Sequence, residues 1–68
     1  MTLDKAREML QTQVTMGSGY NRNSARLILG EVMREHGQAA VDRLIGDLDL
    51  THVFGFRKGD VFTSPYAK

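Results

Sequence analysis

The chain has no cysteine and no tryptophan, and only one proline among its 68 residues. Without cysteine there can be no disulfide and no thiolate metal site, an absence that fits a reducing cytosol. A domain this small buries only about 60% of its unfolded surface. With neither staple, oligomerisation or docking on a larger partner becomes the natural source of extra stability. Long apolar runs are also lacking, since no segment approaches the ~20 residues that span a bilayer. The opening Met1-Thr2-Leu3-Asp4-Lys5 has no apolar signal-peptide core. These absences lead to the expectation of a cytoplasmic protein that makes no membrane contact.

An excess of one charge is missing too. Nine basic and eight acidic residues leave a net charge of +1, which offers little long-range attraction to a polyanion unless the charges segregate. Most are interspersed. Asp4 and Arg7, Glu31 and Arg34, and Arg43 and Asp47 have the i,i+3 or i,i+4 spacing of solvated helix pairs.

What is present is helical periodicity. Thr2 is a candidate N-cap for a first helix over about Leu3–Thr15, whose stripe is Leu3, Ala6, Leu10 and Val14, flanked by Met9 and Met16. Gly17-Ser18-Gly19 should end it. A second helix should begin near Asn21 or Asn23, the former favoured because Tyr20 and Ala25 would then staple the cap. Ala25, Ile28, Leu29, Val32 and His36 share one side of that helix, with Met33 at the margin and Leu27 pointing the opposite way. Gly37 should break it, and a third helix over Gln38–Asp47 should turn Val41, Leu44, Ile45 and Leu48 inward. Gly30 and Gly46 each cost about 1 kcal/mol inside a helix relative to alanine, which close backbone approach by another element would offset.

Asp49 is a candidate cap for one more helical turn, Leu50 to Phe54, stopped by Gly55. In Phe56-Arg57-Lys58-Gly59-Asp60-Val61-Phe62 a glycine turn separates short β-favouring runs, the pattern of a small hairpin. The expected fold is therefore all-α: a single small domain over residues 1–68, made of three helices, a short C-terminal helical turn and an extended or hairpin-like tail. Its core should span about residues 2–56, with 57–68 partly flexible.

Nothing in the residues points to catalysis, a cofactor or a metal. His36 and His52 have no partner at the H-x-x-x-H spacing of a metal site, and His36 suits the negative end of a helix dipole. Ser18, Ser24 and Ser64 lie in no strand–turn–helix elbow. Gly17-Ser18-Gly19 precedes a helix but lacks a preceding strand and the Gly-Lys-Ser/Thr ending of a P-loop. The expectation is a non-enzymatic interaction module or accessory protein that binds an unidentified partner, or itself, through an apolar surface. The residues assigned to that surface are Met16, Tyr20, Leu27, Phe54, Phe56 and Phe62. The competing expectation for the phenylalanines is that the C-terminal segment folds back, closes the core and covers Leu27.

The alternative function is a small nucleic-acid-binding regulator, since two helices joined at a glycine suggest a helix-turn-helix. Arg22, Arg26, Arg57 and Lys58 would contact phosphate, whereas the third helix carries two aspartates that would repel it.

The order of elements resembles the ubiquitin-associated (UBA) class of three-helix modules. Met16-Gly17 and Tyr20 look like its loop after helix 1, Ala25 like its helix 2 alanine, and Ala40-Val41 with Leu44 like its helix 3. The resemblance covers about two-thirds of the chain and implies a compact helical protein-binding module. Ser18-Gly19 displaces the aromatic residue, helix 2 is longer, and the segment after Leu48 has no counterpart. Ubiquitin binding is not carried over.

Overall fold

The structure, a computed structural model, describes residues 1–16 and 21–63. It contains α1 (Leu3–Met16), α2 (Asn21–His36), α3 (Gln38–Asp47) and α4 (Leu50–Phe54), and no strand among the described residues. α1 packs on α2, α2 on α3 and α3 on α4. No described helix is long and apolar enough to cross a membrane.

Local chemistry sets the helix ends. Thr2 caps α1, its Oγ1 accepting the Lys5 amide at 3.1 Å, one of the donors a helix start leaves unpaired. Gly37 alone connects α2 to α3. Its amide donates to Met33 O at 3.0 Å, closing α2, while its carbonyl accepts from Val41 N at 3.3 Å, opening α3. The joint requires φ +92°, a backbone region that glycine enters without a Cβ penalty. Asp49 stands at the start of α4, as expected, but makes no side-chain cap bond. Its contribution is a left-handed backbone, φ 53°, that aims its carbonyl at the amides of His52 and Val53.

The core follows the periodicity closely. Ala6 and Leu10 of α1, Ala25, Ile28, Leu29 and Val32 of α2, and Val41, Leu44 and Ile45 of α3 are buried, with Met9, Val14, Met33 and Leu48 packed at the edge. Two expected stripe members lie outside it. Leu3 is 39% exposed. His36 is exposed in the last turn of α2, donating from Nε2 to the Met1 carbonyl at 2.8 Å. Of the expected surface ion pairs, Glu31–Arg34 (2.6 Å) and Arg43–Asp47 (3.7 Å) form, but Arg7 crosses to Asp47 at 2.9 Å instead of pairing with Asp4.

The largest departure is at the C-terminal end. Phe54, Phe56 and Phe62 are buried with Leu50, so the packed core extends to Phe62 rather than ending near residue 56. Phe56 is central, its ring 5.9 Å from Phe54 and 5.2 Å, edge-on, from Phe62. Residues 57–60 form the expected glycine turn, with Asp60 N donating to Arg57 O at 3.0 Å. The flanking runs form no ladder. They serve the core through the phenylalanines, which contribute more apolar area than a two-residue ladder could.

Candidate functional site

The C-terminal segment stays in place through polar bonds to α3 and α2. On α3, the Asp42 carboxylate accepts the Gly59 amide and the Gln38 side-chain amide, both at 2.8 Å, and Gln38 Nε2 also donates to Asp60 O at 3.0 Å. The Gly59 and Gln38 bonds hold the Asp42 carboxyl below the usual carboxylate range; nearby Lys58 adds to the effect and burial opposes it. The Lys58 stem lies across Gly46, where a methyl group would sit 2.9 Å from Cε. The close approach at this glycine is thus made by a side chain and not by the backbone expected there. From α2, Arg22 Nε donates to the Phe54 carbonyl at 3.0 Å and its guanidinium lies over the Phe56 ring, 4.9 Å from the centroid. One arginine thereby pairs a carbonyl at the end of α4 and stacks on the buried aromatic cluster.

Between α2 and this segment lies a groove of about 570 Å³, lined by Arg22, Arg26, Leu27, Phe56, Asp60, Val61, Phe62 and Thr63. Its apolar exposure is aliphatic: Leu27 is 47% and Val61 78% exposed, whereas Phe56 and Phe62 contribute only edges. Arg22 and Arg26, one helical turn apart, supply the charge. Neither forms an ion pair with a described residue, and the same holds for Arg57 and Lys58. The other described Lys and Arg side chains, Lys5, Arg7, Arg34 and Arg43, are all paired.

The expected apolar surface is therefore redistributed. Phe54, Phe56 and Phe62 leave it for the core, because the segment folds back as the competing expectation had it. Leu27 stays on the surface, because the segment closes beside it and not over it. Met16 is 62% exposed at the end of α1 and does not line the groove. Tyr20 and the Gly17-Ser18-Gly19 loop lie outside the described residues. Of the four expected phosphate contacts, Arg22 and Arg26 are brought together in the groove, while Arg57 and Lys58 belong to the turn. Val61 and Asp60 were not singled out by the sequence. The signal for Val61 was its place in the β-favouring run beside Phe62, which could not say which side chains would face outward.

A second depression, about 240 Å³, is lined by Leu3, Asp4, Arg7, Ala40, Arg43 and Leu44. Both its arginines are engaged with Asp47. Among the described residues no group of three or more His, Asp or Glu side chains could hold a metal ion. No protein-family model, curated protein or solved structure matches the chain.

Proposed function

We propose that this chain is a non-enzymatic interaction module whose binding face is the groove around Leu27 and Val61. The observation that carries this reading is the pairing of two exposed aliphatic side chains with two arginines that lack carboxylate partners among the described residues. Apolar surface left open beside unneutralised charge suits a protein contact, with an aliphatic centre and a polar rim. The UBA-like pattern supports a helical module only at the level of packing. Its matching residues Ala25, Val41 and Leu44 are core residues here, a role that any three-helix arrangement asks of them.

A photo-cross-linking residue at Val61, compared with one at Lys5 on the far end of α1, tests the reading in cells. Nuclease-resistant adducts to protein from position 61 and not from position 5 are expected, and an adduct of twice the chain mass would identify self-association. Equal labelling from both positions would overturn it.

The second reading, a nucleic-acid-binding regulator, draws on Arg22, Arg26, Arg57 and Lys58, the four described cations outside ion pairs. Against it, Arg43 on α3 is held by Asp47, and the phenylalanine faces on which bases would stack are buried. If it holds, the affinity for a duplex should fall steeply with salt, and removing one phosphate-contacting arginine should lower that slope by about 1.

A further inference from the structure

Resting on the interaction-module reading, we propose that the groove takes a linear segment of a protein partner in which an Asp or Glu adjoins a Leu, Ile or Val. The aliphatic side chain packs on Leu27 and Val61, and the carboxylate meets the guanidiniums of Arg22 and Arg26.

Charge complementarity selects this occupant. Arg22 and Arg26 sit at i and i+4 on α2, so both guanidiniums project from one face. Arg22 is already ordered by its bond to Phe54 O and by the Phe56 ring. Holding a carboxylate therefore costs it little further side-chain entropy. Its terminal nitrogens make no hydrogen bond with a described residue, and Arg26 has no described polar partner at all. Both guanidiniums offer the planar donors that suit a carboxylate. Asp60, on the opposite rim, accepts the Arg57 amide through Oδ2 and would repel an acid placed there. The ligand's charge is thereby confined to the α2 side and its apolar group to the centre.

Size agrees. At about 570 Å³ the groove falls within the roughly 300–1,000 Å³ of small-ligand sites, room for the few side chains of a short segment. A nucleic-acid strand fits less well, because it would find two arginines and, among the described residues, no exposed aromatic face. A basic segment would meet like charge.

The test uses the full chain as bait against a displayed library of random dodecapeptides. Affinities of enriched peptides are then measured by fluorescence polarisation. Acid-next-to-aliphatic sequences should be enriched, and replacing the acid by its amide should weaken binding at least tenfold. Arg26→Glu and Leu27→Asp should each do the same without changing the helical circular dichroism. Raising the salt concentration should weaken binding of the acidic peptide more than that of its amide. Arg22 is left intact because it also holds the Phe54 carbonyl.

Neutral or basic consensus sequences, an amide peptide binding as tightly as the acid, or no enrichment would each overturn the inference. So would displacement of the bound peptide by an oligothymidine strand, which would favour the nucleic-acid reading. Peptides lost with Leu27→Asp but indifferent to Arg26→Glu would overturn the acidic occupant and leave the module reading standing. Peptides indifferent to both variants would overturn both. Dimerisation of the bait that Arg26→Glu abolishes would assign the groove to a second copy and overturn the linear segment.

Discussion

At the scale of single residues, exposure separates side chains that fold the chain from those free to bind. Phe56 is 2% exposed and stands between Phe54, Phe62 and the Arg22 guanidinium. Phe56→Ala should cost about 3–5 kcal/mol. For a 68-residue domain that is a large share of a total stability of roughly 3–10 kcal/mol. Urea titration should find the variant partly unfolded in water; a midpoint shift equivalent to less than about 1 kcal/mol would contradict the buried aromatic cluster. Leu27→Asp, at a half-exposed position, should move the same midpoint by no more than about 0.5 kcal/mol. A binding loss seen with Phe56→Ala would thus say nothing about contact, whereas one seen with Leu27→Asp would. Asp49 is the other diagnostic residue. Its positive φ suits the short polar side chains that tolerate left-handed backbone, so Asp49→Asn should be nearly neutral. The β-branched Asp49→Val should lower stability by about 1–2 kcal/mol in thermal melts.

Among the elements, the helices were legible in the sequence and the joints only partly so. Gly37 and Gly55 marked their stops, Thr2 its cap, and the 3.6-residue rhythm the inward faces, because each of these is decided by neighbours a few residues away. The fate of the phenylalanines was not legible. Their burial depends on Asp42 and Gln38 reaching residues 17 to 22 positions onward, and on Arg22 reaching 32 positions to Phe54. No local pattern encodes such distances. The same long reach assembled the groove, which paired Arg26 and Leu27 with Val61 from the far end of the chain.

The α3 clasp has a pH signature of definite sign. Asp42 is held below the usual carboxylate range, chiefly by the Gly59 amide and then by Gln38. A folded pKa below the unfolded one means stability that is present above the ordinary aspartate value and is lost as pH falls through the lowered folded value. The Gly59 amide resonance should therefore titrate with an apparent midpoint below the ordinary aspartate value, and Asp42→Asn should abolish that titration. A midpoint at or above the ordinary value, or an unchanged profile in Asp42→Asn, would mean that the clasp is not formed by this carboxylate.

Taken as a whole, the described part of the molecule is a three-helix core closed by the short α4 and by residues 55–63, which form neither helix nor strand. α1, α2 and α3 each bury a stripe, yet those three stripes alone do not seal the domain. Leu50, Phe54, Phe56 and Phe62 supply the remaining wall. Closing such a wall is worth more than its few hydrogen bonds, since full burial of one phenylalanine contributes about 1.5–3 kcal/mol. A chain truncated after Phe56 should accordingly keep the helices but lose the Phe62 contact, the Asp42–Gly59 clasp and one side of the groove. The expected result is helical circular dichroism at low temperature with a melting midpoint lower by 10 °C or more, taking about 4–8 °C per kcal/mol for a domain of this size. Concentration-dependent association should accompany it, as the uncovered Phe56 ring seeks a substitute for Phe62. If the truncated chain instead melted like the full one and stayed monomeric, residues 57–63 would be an appendage to a finished core. The groove they line would then have no stable wall on which to receive a partner.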